Sequence, residues 1–341
     1  MQDDLVRGVV VAVLLLGCGA APTDGKRYLG DRDFRRATLE DSLVSSTNAY
    51  GALRLTHYAH DWDALPVWNP ACAPVGEPVA QLELDDPLLG EHAFFRYPVQ
   101  LVNERATGPQ LVDVRLADGS LGRALSCASC HSRVVEGVTV PGLANQTFDV
   151  GALLGATWPP GHVDVSASGT ETPIAIADLR SASLQHNLQA SGEVRNGRIA
   201  LAIRIETLIV TAHGGALRPP REVALALADY LATLAPPAIA SNAVFEDHCA
   251  SCHAGEAMSG PPVEAATVAT DPRAADSPDR GTGGYRVPSL RGVGTRGALF
   301  HDASVPSIDA LLDPARTGGH PFSRTLSSDE RAVLNAYLHA L

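Results

Sequence analysis

Cys127-Ala128-Ser129-Cys130-His131 recurs, residue for residue, as Cys249-Ala250-Ser251-Cys252-His253. Cysteines three positions apart share one face of a helical turn, about 5–6 Å from each other. Two thiols so placed reach the two vinyl groups on one edge of a porphyrin, and the next histidine aims its imidazole at the iron. Cys-x-x-Cys-His is therefore read as the attachment signature of a c-type haem. A thiol redox pair or half of a zinc site competes for a single copy, and a second identical copy weighs against both. The sequence predicts two covalently bound haem c groups, held through Cys127, Cys130, Cys249 and Cys252, with His131 and His253 as proximal iron ligands.

At 341 residues the chain has room for two domains. Aromatic residues make up only 5%, so a flat apolar haem is expected to supply part of each core. The formal net charge of −12 at pH 7 argues against nucleic acid and an anionic lipid surface as partners. It is compatible with a basic redox partner protein, which the sequence does not identify.

Near the N-terminus an apolar run, Val9 to Leu16, is too short to span a bilayer and reads as a signal-peptide core. Leu15-Leu16-Gly17-Cys18 resembles a bacterial lipobox, which makes Cys18 the lipid-attachment site and 1–18 the signal peptide. The opening Gln2-Asp3-Asp4-Leu5-Val6-Arg7 departs from the positive stretch such peptides carry, and an ordinary buried strand is the alternative. The expected location is the cell envelope, facing the periplasm, with membrane contact through the lipid anchor. Cys72 is left over and reads as a small buried apolar residue.

The expected fold class is mainly α: two cytochrome c-like haem domains with an irregular N-terminal region containing a small β-hairpin. Residues 19–98 form an N-terminal helix and wrapping segment, 99–235 the first haem domain and 236–341 the second. Thr38-Leu39-Glu40-Asp41 opens a helix running to about Tyr58. Alternation over Gln110–Leu116, followed by Asp118-Gly119, marks the hairpin. Helices are expected over Ile199–Val210, Arg221–Leu234 and Ser241–His248, and from a capping box at Ser327 to Leu341. Pro236-Pro237 divides the halves, and Gly255–Gly284 reads as a loop.

The halves end alike, Ala228-Asp229-Tyr230-Leu231 against Asn335-Ala336-Tyr337-Leu338. His213 and His320 each lie 17 positions before the matched tyrosine, beside a Gly-Gly pair. A loop before the terminal helix is where a class I cytochrome c places its distal ligand. The two methionines, Met1 and Met258, are poorly placed for that role, so His213 and His320 are the preferred distal ligands, with His162, His186 and His301 as competitors.

Tyr285-Arg286-Val287-Pro288-Ser289-Leu290-Arg291 and Leu299-Phe300-His301-Asp302-Ala303-Ser304 resemble the C-terminal haem domain of the bacterial dihaem cytochrome c peroxidase superfamily. The resemblance implies two facing cytochrome c-like domains with electron transfer between the haems, and calcium between the domains. It is specific only over about Tyr285 to Leu312. Ala315 stands where those peroxidases carry a methionine ligand, and their Phe-Trp-Asp-Gly-Arg stretch is missing. The expected function is single-electron transfer in the bacterial envelope. The alternative is a peroxidase-like oxidoreductase acting on hydrogen peroxide or a related oxidant, which requires one iron with an open position. No catalytic residue is assigned.

Overall fold

Five short strands form an antiparallel sheet in the first half: β1 (Ala71–Pro74), β2 (Ala80–Gln81), β3 (Gln100–Val102), β4 (Leu111–Arg115) and β5 (Leu121–Leu125), in the order β2-β1-β4-β5-β3. The computed structural model describes residues 23–44, 57–58, 60–164, 173–316, 319–320 and 326–341. The β4–β5 hairpin turns at Gly119, whose φ of +85° suits a residue without a side chain. Alternation sends Val112, Val114 and Ala124 to one face, where they are fully buried beside Cys72. Leu111 and Leu125 go to the other and pack with Phe148, Val150 and Ile176. Burial pushes the Cys72 thiol up to about 11, so it stays neutral.

Helices Thr23–Gly30, Arg32–Ser42, Leu89–Arg96, Arg198–Ala212 and Arg221–Thr233 build the first core around Tyr28, Leu39, Phe94 and Leu227. Asp31 caps the second of these by accepting from the Phe34 N–H at 2.9 Å. Polar contacts tie the N-terminal pair to the rest. Tyr28 donates its hydroxyl proton to Glu206 (3.1 Å), and Arg35 and Arg221 converge on Asp63. Gly90 allows one helix to lie directly on another, since a Cβ there would overlap the Ala226 carbonyl oxygen.

The second core draws on other residues altogether, among them Phe245, Val293, Ile308, Leu334 and Leu338. Helices Ala243–His248, Ile308–Leu312 and Ser328–Ala340 surround it. The last has the expected capping box: the Ser327 N–H donates to Glu330 at 2.8 Å and the Glu330 N–H to the Ser327 hydroxyl oxygen at 3.3 Å. Backbone bonds cross between the halves, from the Arg286 N–H to the Ala190 carbonyl (2.8 Å) and from the Ala175 N–H to the His301 carbonyl (2.7 Å).

The mainly α expectation is corrected: the structure is 37% helical and 18% strand, with several small antiparallel sheets. The hairpin is the centre of a sheet, and strands of two to five residues are too short for alternation to declare them. Within Gly255–Gly284, Gly260–Glu264 pairs with Gly284–Val287 across a bulge. A helix starts earlier than expected, at Arg32, and ends at Ser42, where Leu43 turns extended; residues 45–56 of the expected helix lie outside the described residues, and His57 and Tyr58 are helical. The signal segment and Cys18 lie outside the described residues. Among the described residues no helix is long and apolar enough to cross a membrane.

Gly90→Ala is expected to destabilise the protein by about 1–3 kcal/mol, read as a lower urea midpoint at unchanged m-value. His57 generates a second expectation. It is buried, neither ring nitrogen has a hydrogen-bond partner among the described residues, and burial, then Arg204 and Arg280, lower its pKa to about 3. The unfolded chain, with an ordinary histidine, takes up this proton first. Its stabilising contribution is therefore complete above about pH 6.5 and is lost as pH falls toward about 3. His57→Met should flatten the fall in urea midpoint between about pH 6.5 and 4; an unchanged slope would assign it to other groups.

Candidate haem-binding cavity

Each repeated motif is held by its own surroundings. In the first, the Ser126 N–H donates to the Ser129 hydroxyl oxygen at 3.0 Å, and Ser129 in turn donates to the Gln110 carbonyl at 2.8 Å. One helical turn, Cys127–His131, is thereby fixed to the entry of β4. In the second, Asn242 caps the helix that runs into Cys249, and the His253 N–H returns to the Cys249 carbonyl at 2.9 Å. Gly260 lets the strand pass against the Cys252 carbonyl, where a Cβ would collide.

The two motif histidines are oriented alike. His131 Nδ1 lies 2.9 Å from the Ala177 carbonyl oxygen and His253 Nδ1 3.2 Å from that of Met258. A carbonyl only accepts, so Nδ1 carries the proton in both and Nε2 keeps its lone pair for a metal. Burial lowers both pKa values and keeps the rings neutral. Met258 contributes here through its backbone carbonyl.

Both motifs open onto one cavity of about 380 Å3, within the range of cofactor sites. Cys127, His131, Cys249, Cys252 and His253 line it, between walls that include Leu201, Leu227, Leu299 and Leu334. Cys130 packs at the edge of the cluster that contains Phe148 and Val150. Burial pushes Cys127 and Cys130 up to about 12 and Cys249 to about 11. Thiol redox pairs need the opposite shift, toward thiolate. Among the described residues, no cluster of three or more His, Cys, Asp or Glu completes a zinc site around either pair. The donor set and the apolar walls fit a covalently attached haem at each motif.

The distal candidates part company. His320 lines the cavity with its ring centroid 6.3 Å from that of His253. Two metal–nitrogen bonds of about 2.0–2.1 Å in line, plus half the width of each imidazole ring, come to roughly 6 Å. The spacing thus suits one iron between the two rings. Burial first, then the like charge of His253, lowers His320 to about 4, so it too is neutral. His213, by contrast, caps the helix Arg198–Ala212, sets its ring edge-on to Trp68 at 4.6 Å, and is not among the residues lining the cavity.

Of the competitors, His301 lines the wall, stacked 4.2 Å from Tyr285, with Nε2 buried and unpartnered among the described residues. His162 faces the Pro160 carbonyl (3.0 Å), and His186 is exposed. Sequence reading missed Arg204, Arg286 and Arg296, which also line the cavity. A lone arginine inside the apolar run Ile199–Val210 was the available signal for the first. No protein-family model matches the chain, and no curated protein matches it.

His320→Gly in haem-loaded protein is expected to convert one low-spin electron paramagnetic signal to high-spin, with low spin restored by added imidazole. An unchanged low-spin spectrum would remove His320 from the iron.

Proposed function

We propose that this chain is a c-type cytochrome with two covalent haems that passes single electrons within the bacterial cell envelope. The observation that carries the reading is the matched pair of imidazoles, His131 and His253. Each is tied at Nδ1 to a backbone carbonyl, and both face one apolar cavity beside their own cysteines. Bound haem supplies the one-electron couple. The chain's residues present the axial nitrogens, exclude water with Leu201, Leu227, Leu299 and Leu334, and hold the motifs within one enclosure. Envelope location rests on covalent haem attachment and on the lipobox-like Cys18. The redox partner is a protein of unassigned identity, and the −12 net charge favours a basic one.

One observation favours a second reading, a peroxidase-like oxidoreductase. With His213 set against Trp68, no first-half histidine or methionine other than His131 is on the cavity wall among the described residues. On this reading His131 would hold its iron with no first-half residue opposite, leaving that position to a small oxidant or to His301, which lines the same cavity. Peroxide cleavage also needs a group to move a proton between the oxygens. Asp178, a carboxylate on the wall, is already engaged by Arg180 at 2.6 Å, which keeps electron transfer the first reading.

The test is co-expression with a haem-attachment system, followed by pyridine haemochrome assay and intact mass. Two haems per chain are expected, and one after Cys127→Ala/Cys130→Ala; a chain that takes up none would end both readings. In the loaded protein, a high-spin signal altered by peroxide would select the oxidoreductase, and its absence the carrier.

A further inference from the structure

Three arginines point to what else the cavity holds. Arg204, on the helix Arg198–Ala212, is 5% exposed, and its Nε and Nη1 have no hydrogen-bond partner among the described residues. Arg286 sits on the strand Gly284–Val287, and Arg296 just beyond Val293–Thr295; each has a buried, unpartnered Nε. All three line the cavity. Arg286 and Arg296 keep some accessible surface yet are strongly desolvated, because they open toward the cavity.

Their bonded partners are neutral. Arg204 donates to the Gln189 side-chain oxygen (3.1 Å) and Arg286 to that of Gln185 (2.6 Å). The carboxylates acting on them are Glu193, which faces Arg204 and Arg286, and Asp178, which faces Arg296. Both are already engaged, Glu193 by the Tyr58 hydroxyl (2.9 Å) and Ser191, and Asp178 by Arg180. Arg280 adds a further positive charge beside Arg204. Burial, then the repulsion of Arg296, lowers Arg286 to about 10, which still leaves it charged at neutral pH. Desolvated charges of one sign persist in proteins when an opposite charge meets them. In a chain of net charge −12, this local cationic wall is built for an anion.

We propose that Arg204, Arg286 and Arg296 form a carboxylate-receiving wall that holds the haem propionates between the two motifs. The assignment rests on the dihaem reading. A guanidinium fork matches a carboxylate in two parallel bonds, and the cysteines fix the opposite edge of each porphyrin. The arginines thus set the rotation of each haem in its slot and, as fixed positive charges, raise its potential by favouring the reduced form. A small free anion would use the same chemistry, and the experiment separates the two sources.

The haem content of the full-length holoprotein is measured first, so that failure of the dihaem reading shows as missing haem. Redox-difference infrared spectroscopy with haem labelled by carbon-13 at the propionates then follows their carboxylates in the wild-type protein. They are expected to stay ionised well below the ordinary carboxylate range; ordinary titration in a haem-loaded protein would overturn the proposal. Arg286→Gln and Arg296→Gln should each lower a midpoint potential and shift a labelled carboxylate band, with Arg286→Lys restoring much of the potential. Loaded variants with unchanged bands and potentials would also overturn it. If a variant takes up no haem, the wild-type titration decides. Bromide added to wild-type protein should move neither potential; a saturable shift would assign the wall to a free anion instead.

Discussion

Two apolar cores that share no residue meet around one cavity of about 380 Å3, and the energetics of that cavity govern the rest of the molecule. A group that binds the folded cavity and not the unfolded chain would add its binding free energy to the stability of the fold. The composition agrees, since a chain with 5% aromatic residues has few side chains large enough to close such a space. Hydrogen bonds across the halves, such as the Arg286 N–H to the Ala190 carbonyl, hold the rim while the centre depends on its occupant.

Desolvation around this cavity acts on three kinds of group in three ways. It keeps three of the motif thiols neutral, with Cys127 and Cys130 pushed to about 12 and Cys249 to about 11. It makes His131 and His253 neutral, and the Ala177 and Met258 carbonyls select which nitrogen keeps its lone pair. It fails to neutralise the arginines, because even Arg286 at about 10 remains charged at neutral pH. The enclosure thus presents neutral nitrogens for a metal and fixed positive charge for an anion. One physical cause, desolvation, produces both, because it removes the charge from the imidazoles and leaves it on the guanidiniums.

The motifs of the candidate site were more legible in the sequence than the fold that holds them. Cys-x-x-Cys-His is a contiguous pattern whose spacing follows from one helical turn, so both motifs could be read directly. The terminal helix was legible because Ser327 and Glu330 form a local capping box. The sheet was not. β2 is only two residues long, β1 pairs with β4 far along the chain, and Pro-Ala-Cys-Ala-Pro carries no alternation. The carbonyls of Ala177 and Met258 could not be seen at all, since backbone groups acquire roles only through folding.

The internal repeat marks where sequence reasoning by symmetry runs out. His213 and His320 share a spacing to the terminal tyrosine and a neighbouring glycine pair, yet they occupy different environments. His320, held at φ +47°, brings its ring to 6.3 Å from His253. His213 ends a helix that continues to Ala212 and is drawn onto Trp68, a residue of the wrapping segment with no counterpart in the second half. The N-terminal elements therefore do more than cover the first core: they change the partner of the residue that the repeat would place opposite His131. On the proposed dihaem reading, two halves with one repeated motif would thereby offer their irons unequal surroundings. Inequality is what directional electron flow requires, because two sites of equal potential set no preferred direction between them.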